Sequence, residues 1–537
     1  MHKIFSTFKL AFVIAIAGLA LSSCGNKSEQ VKYIPKDANF VIAVDVKSLA
    51  TKSLDFKEIF NLENIKKAVS GSDSLSGKIK NSGVDLLSSA YVFGQINGDV
   101  KGYGALILPL SDADKFEATL KNESSEFTVT EEGEFKIGTS KAEESIIAVW
   151  NKNTAIICGQ SAGEKADLKE RVLAFYNLKK EESLAENDKN FAALQNETAD
   201  ISFWMSFEKI AELAAKYNPM AAGMNFKETY FSAACNFEDG QIVVNSNYHA
   251  NKDLAEKLGI GKDNVNKDLV GVVPGKALIS MLSMAIDMNK LYAYLEKENL
   301  LTNLEESAKM AGVSGKELFA IFSGDLIGTV NGAVMKDVKS MDWTTGEEVM
   351  KKEPRPEYAL VVGIADQGKG TQLLEALSTK GMIAKKDNYY SVMDEAYIVD
   401  KGSYWIVAPE SMRQEVMDAN GEKLNGDLST LLAENSGVFY FNFNQVPDEA
   451  LDFLGASVKN YFKTTPLESI TISGTNLKDN TSKGKCVIAF KEKEQNSFIT
   501  LIKMSGDLAA EQMKSTTTVE APISEIPVDT AVYAEVE

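Results

Sequence analysis

Several stretches of this chain carry residue types that could do chemistry. Gly363-Ile364-Ala365-Asp366-Gln367-Gly368-Lys369-Gly370-Thr371 follows an apolar run and precedes helix-like sequence, the context of a phosphate-cradling loop. That loop needs a Mg²⁺-binding hydroxyl directly after the lysine, but Gly370 stands there and Thr371 comes one residue late. A strand-to-helix turn capped by Asp366 is the plainer reading. Asp45 and Asp287 recur at the starts of two helix-like stretches, so they could be offered as a carboxylate pair. Capping free N–H groups and favouring the helix dipole already explains an acidic residue there. Asp112 and Asp114 lack the glycine and distal glutamate of a calcium loop, and Gly259-Ile260-Gly261-Lys262 is too short to carry weight.

Histidine narrows the field further. Of His2 and His249, the first lies in a leader-like segment, which leaves His249 alone in the mature chain. A Ser-His-Asp or Cys-His arrangement would have to be built on it, and a multi-histidine zinc site cannot be built at all. His249 ends an alternating run just before a polar turn and is expected to face solvent in a structural role. No catalytic residue, metal ligand or cofactor site is assigned. Beyond Cys24, the cysteines are Cys158, Cys235 and Cys486, each in an apolar or strand-like run. Buried free thiols are expected, with a Cys158–Cys235 disulfide as the alternative in an oxidising compartment.

Cys24 is the sharpest signal. Basic Lys3 and Lys9 precede an unbroken apolar run from Leu10 to Leu21, and Ser22-Ser23 lead into Cys24. The apolar run is too short to cross ~30 Å of hydrocarbon, which takes about 20 residues, and its flanks are those of a secretory signal. Leu21-Ser22-Ser23-Cys24 resembles the lipobox of bacterial lipoproteins. The resemblance implies cleavage between Ser23 and Cys24, diacylglycerol on the sulfur and an acyl chain on the new amino group. At roughly 0.8 kcal/mol per buried methylene, two or three chains hold a protein on a membrane where one would not. An ordinary secretory signal with an incidental cysteine is the alternative. Residues 24–32 then read as a lipidated tether, and Gly25 in place of an aspartate favours the outer membrane, on either face.

Composition bounds the partners. Removing residues 1–23 takes two lysines from the 57 basic side chains, so 55 − 76 gives a net charge of −21. Such a surface repels phosphate backbones, and no nucleic-acid partner is expected.

The elements behind these residues repeat. Tyr33-Ile34-Pro35, a strand Phe40–Val44 and Asp45 parallel Val272-Val273-Pro274, an apolar run Ala277–Ile286 and Asp287. Tyr103–Leu108 parallels Tyr358–Val362, Thr154–Cys158 parallels Ser403–Val407, and Ile201–Met205 parallels Val438–Asn442, each in the same order. Both halves end in paired strands, with Asp239-Gly240 a hairpin signal in the first. A polar stretch from Met335 to Glu357 reads as an exposed hairpin or loop. The expected fold is α+β: two related halves, 33–265 and 266–510, each a mostly antiparallel sheet covered by helices. Two unrelated α+β domains are the alternative. A last helix is expected over 495–512, and 511–537 reads as a disordered acidic tail. Alternation puts Phe439 and Phe441 on one face of a strand and Tyr440 on the other, which suits a two-layer core or an aromatic binding surface.

The segment Tyr33-Ile34-Pro35-Lys36-Asp37-Ala38-Asn39-Phe40-Val41-Ile42-Ala43-Val44-Asp45-Val46-Lys47-Ser48-Leu49 resembles the start of Bacteroidetes lipoproteins of domain-of-unknown-function family 4836. The resemblance implies an envelope location and brings no catalytic residues. The functional expectation is a membrane-anchored envelope lipoprotein of non-enzymatic type, binding an envelope protein or glycan or helping an assembly. The alternative is a carboxylate-dependent enzyme or a solute- or glycan-binding lipoprotein using a cleft between the halves.

Overall fold

The computed structural model describes residues 29–52, 82–85, 87–95, 102–123, 127–140, 145–160, 165–208, 211, 224–341, 344–393, 395–417, 422–424 and 426–505. Cys24, Ser23, the expected signal segment 1–23 and the expected tail 511–537 lie outside them. The first ten strands are β1 (Phe40–Val44), β2 (Ala90–Gln95), β3 (Tyr103–Pro109), β4 (Phe127–Glu132), β5 (Phe135–Ser140), β6 (Ile146–Trp150), β7 (Thr154–Gln160), β8 (Ile201–Ser206), β9 (Tyr230–Glu238) and β10 (Gln241–His249). The next five are β11 (Ser280–Ala285), β12 (Phe322–Met341), β13 (Glu348–Ile364), β14 (Ala384–Lys385) and β15 (Tyr390–Val392). β16 (Ala396–Asp400), β17 (Tyr404–Pro409), β18 (Gly437–Asn442), β19 (Leu467–Gly474) and β20 (Thr481–Phe490) complete the series.

Every ladder between these strands is antiparallel. In the first half the pairings run β4-β5-β6-β7-β3-β2-β1-β8-β9-β10. In the second they run β14-β15-β16-β17-β13-β12-β11-β18-β19-β20, the same order ten strands on. The α+β reading with antiparallel sheets holds. β10 and β20 pair with each other and make one continuous sheet.

Register sharpens the comparison. Val44, Ile201, Cys235 and Val244 lie abreast in the first half. Met284, Gly437, Gly474 and Gly484 hold the corresponding places in the second. Val244 therefore corresponds to Gly484, an offset of 484 − 244 = 240. At the junction Asn245 pairs with Lys485, and 485 − 245 is again 240. Each residue of that pair sits opposite its own counterpart, so the pairing pattern has a two-fold axis through it. Sequence matching placed Tyr358 against Tyr103, whereas register sets it against Gly104; the other strand matches are likewise one residue off. Because side chains alternate, such a slip exchanges inward for outward positions.

Alternation builds two layers on the sheet. On one face of the first half, Val41, Phe93, Ile107, Ile156, Cys158 and Trp204 pack with Leu168, Val172 and Phe175 of the helix Lys165–Tyr176. The corresponding face of the second half gathers Met281, Ile327, Val361, Ile406 and Val438 with Leu428 and Leu432 of the helix Gly426–Glu434. The opposite face is covered unevenly. Over the first half, Phe490 and Phe498 join Leu106, Leu108, Trp150 and Phe237, so the segment after β20 packs back on the first half. Phe498 meets Phe237 at 5.1 Å between ring centroids, and the described part of the expected last helix is 497–505. Over the second half, the helices Gly315–Ile321 and Gln367–Thr379 bury Ile321, Leu373, Leu374, Ile364 and Trp405 at the outer strands.

A candidate apolar binding surface

The carboxylates that sequence reading weighed have structural work. Asp45 Oδ1 accepts from Ser48 N at 2.9 Å, and Asp287 Oδ1 accepts from Asn289 N and Lys290 N at 3.1 Å. Both cap helices. They are not register partners: Val44 corresponds to Met284, so Ala285 holds the place of Asp45, and the second half has two more residues before its helix. Asp112 Oδ1 caps the helix Ala113–Glu123 through Lys115 N at 3.0 Å, and its pKa is lowered chiefly by that bond. Asp114 pairs with Lys136 at 3.0 Å.

The glycine-rich stretch is a strand-to-helix turn. Asp366 Oδ1 accepts from Lys369 N at 3.0 Å, filling the helix end where a phosphate would sit. Thr371 Oγ1 donates to Asp400 Oδ2 at 2.9 Å, and Gly370 is buried where an added Cβ would lie 3.1 Å from Ile364 and 3.5 Å from Trp405. His249 is half-buried rather than solvent-facing, its ring stacked on Tyr230 at 6.2 Å and 3.4 Å from Thr481 Oγ1. Cys158, Cys235 and Cys486 are free thiols. Cys158 belongs to the core face, whereas Cys235 and Cys486 both lie opposite Val244 on the other face, two strands apart. Two strand spacings come to ~10 Å, beyond disulfide reach. Burial pushes the Cys158 thiol up to about 12 and Cys235 up to about 11. Among the described residues no group of three or more His, Cys, Asp or Glu could hold a metal ion.

Sequence reading missed two buried acids. Asp200 is fully buried; it accepts from Ser48 Oγ (2.5 Å), Lys52 Nζ (2.6 Å) and Phe237 N (2.6 Å). Asp325, 2% exposed, accepts from Lys262 Nζ (2.7 Å), Ser323 Oγ (2.7 Å) and Asn266 N (3.1 Å). All donors are satisfied within the protein, so each acid pins neighbouring segments together. Neither points at an open surface.

The open surface is apolar. Along one row of the sheet the register sets Val407, Leu360, Gly328, Leu282, Phe439 and Ile472 abreast. It continues through Cys486, Val244, Cys235, Ile201 and Val44 to Ala90. The first-half members of this row pack into the core that Phe490 and Phe498 complete. In the second half the row comes out to solvent: Leu282 is 50% exposed, Phe439 38% and Ile472 47%. Met284, two residues along β11 on the same face, is 37% exposed. Its own row runs through Leu326 and Val362 to Trp405, which lies in the buried cluster at the outer strands.

Helices bound this strip. Phe441 shares the face of Phe439 and meets Phe462 of the helix Ala456–Thr464 at 6.5 Å, with Phe443 5.7 Å from Phe462. That helix closes one end of the strip and exposes Val458 and Tyr461, while Phe453 and Leu454 before it are 58% and 57% exposed. At the Met284 end, the helix Met288–Lys297 is held by Tyr292 against Phe319 at 5.5 Å. The exposed members of the floor, Leu282, Met284, Phe439 and Ile472, have neither charge nor a hydrogen-bonding group, and Ser280 supplies a hydroxyl beside Phe441. Alternation in Phe439-Tyr440-Phe441 was the one sequence signal of it: Tyr440 packs on the core, and Phe439 is open.

A family model described as a domain of unknown function, DUF4836, matches residues 31–387. The chain belongs to this family. The match takes in all of the first half and continues through β14 of this DUF4836 chain. No curated protein matches it. Among solved structures it is similar to crystal forms IV and III of TP0453, at 9% and 10% identity. Those alignments cover 41% of this chain and 81% and 80% of the others, each with a TM-score of 0.26.

Proposed function

We propose that this chain is a non-enzymatic envelope lipoprotein, lipidated on Cys24 and held on the outer membrane, that binds an elongated apolar ligand on the second half of its sheet. The observation that carries the binding reading is the exposure of Leu282, Phe439 and Ile472 abreast on three paired strands. The largest contiguous apolar patch on a folded protein is often a functional one. A hydrocarbon chain gains most from such a floor: each buried methylene contributes about 0.8 kcal/mol, and no hydrogen bond is required. An acyl chain of an envelope lipid or lipoprotein fits this chemistry. The anchor reading is supported by the sequence Leu21-Ser22-Ser23-Cys24 behind its basic and apolar leader. The Bacteroidetes lineage is supported by the Tyr33–Leu49 opening behind it. We also infer that the halves arose by duplication, which the repeated strand order and the constant offset across β10 and β20 support.

The test is a fluorescence titration of the purified protein with cis-parinaric acid, a linear fatty acid that lights up in apolar sites. Saturable binding is expected, weakened at least about tenfold, or 1.4 kcal/mol, by Leu282→Gln or Phe439→Gln. Leu282 is the more exposed of the two, so Leu282→Gln is the variant the fold should tolerate best. Binding that ignores both substitutions would overturn the assignment.

A further inference from the structure

The two halves differ most where β12 turns into β13. Val330 pairs with Tyr358, where the first half pairs Gly94 with Gly104. The intervening segments hold 27 and nine residues, so the second half has 27 − 9 = 18 more. Those residues build an arm. β11 covers β12 only along Asp325–Val330, and β17 covers β13 only along Leu360–Gly363. From Gly332 to Met341 and from Glu348 to Glu357 the two strands pair with each other alone. The Met335–Glu357 stretch is thus an exposed hairpin, as its polarity suggested, and it continues two core strands. A two-stranded ribbon by itself is marginally stable in water.

The edges of the arm are unlike. Pro354 stands opposite Met335 and Pro356 opposite Ala333. Proline has no N–H to give, so these are the non-hydrogen-bonded pairs of the ladder, and the proline nitrogens face outward on β13. That edge is blocked against another strand. The same alternation turns the N–H and C=O groups of Met335, Asp337, Lys339 and Met341 outward on β12, where no proline stands. The edge of β12 is open to strand addition.

The segment on that edge, Met335-Lys336-Asp337-Val338-Lys339-Ser340-Met341, is complementary to itself. With a two-fold axis on Val338, a second copy runs antiparallel alongside. Asp337 then faces Lys339, Met335 faces Met341, Lys336 faces Ser340, and Val338 faces its own counterpart. The outward-pointing residues are the ones such a pairing sets opposite each other, so each of those pairs exchanges two backbone hydrogen bonds. Met335 and Met341, 38% and 52% exposed, share a face with Met350, which is 61% exposed and opposite Lys339. Pairing brings these methionines together. We propose that the open edge of β12 is a self-association site, at which two copies of this chain join their arms into one four-stranded sheet.

Sedimentation velocity of the full chain tests this together with two charge reversals. The wild type is expected to show a concentration-dependent dimer. Asp337→Lys and Lys339→Asp, each alone, set like charges opposite each other and should weaken association at least tenfold. Mixing the two variants restores opposite charges and should restore the dimer, an effect that a structural role within one arm would not produce. Val338→Cys should cross-link copy to copy on mild oxidation, because facing non-hydrogen-bonded strand residues lie within disulfide reach. A wild type that stays monomeric overturns the proposal. So does a dimer that ignores both reversals, or a Val338→Cys chain that does not cross-link.

Discussion

Replacing Asp200 by alanine tests how the first half is held together. The carboxylate has no exposure and three donors: Ser48 Oγ, Lys52 Nζ and Phe237 N. Its removal strands them unequally. Lys52 is 27% exposed in its side chain and can turn to water at little cost. Phe237 N is buried just past the end of the β8–β9 ladder, and a buried N–H without a partner costs about 1–3 kcal/mol. The Ser48 hydroxyl adds about 1 kcal/mol, and the vacated volume adds more. The total comes to about 3–5 kcal/mol, the range found when one member of a buried ion pair is removed. Lys52→Ala should also be costly, because it leaves the fully buried carboxylate without its counter-charge and with only two neutral donors. The assay is urea unfolding followed by tryptophan fluorescence, with Trp204 four residues along the chain as a buried reporter. A loss under about 1 kcal/mol for Asp200→Ala would refute the pinning role, because no arrangement of these donors leaves them all satisfied without it.

Three further expectations follow. Burial raises the Cys235 pKa from 9.0 to about 11, so at pH 8 its thiolate should be about 100-fold scarcer than in the unfolded chain. Iodoacetamide labelling should be correspondingly slower in the folded protein and should climb as pH rises toward 11; equal rates in buffer and urea would contradict this. Gly324 has φ +84°, and a Cβ there would lie 1.8 Å from the Ile286 carbonyl oxygen, so Gly324→Ala should cost at least about 2 kcal/mol by the same urea assay. A neutral result would mean that the entry to β12 relaxes. Cys24→Ala should abolish metabolic labelling with radioactive palmitate, and undiminished label would end the anchor reading.

Much of the fold was legible in the sequence because both halves alternate strongly. β8 and β18 stood out as aromatic runs, and Asp239-Gly240 marked the β9–β10 hairpin, with Gly240 at φ +69°. The helix caps Asp45, Asp287 and Asp366 were readable from their positions ahead of helical sequence. Register was not. Matching by residue type slipped a strand by one residue, since a run such as Ile201-Ser202-Phe203-Trp204-Met205 is apolar on both faces. The pins Asp200 and Asp325 gave no local sign either: their partners come from as far as Ser48 and Lys262, which pattern reading cannot bring together. The apolar strip was hidden for a related reason. Leu282, Phe439 and Ile472 look like core residues individually, and exposure depends on where helices from elsewhere in the chain come to rest. The packing of 497–505 on the first half, and not the second, decides which stretch of the row is covered.

The central claim is that the open strip on β11, β18 and β19 is where an apolar chain binds. Photo-labelling tests it most directly: a diazirine-bearing fatty acid is bound to the full protein, activated by light, and its adducts mapped by peptide mass spectrometry. The account predicts adducts concentrated on Leu282, Met284, Phe439 and Ile472, suppressed by excess unlabelled fatty acid. Adducts spread over the surface, or concentrated elsewhere and undisturbed by competitor, would contradict it.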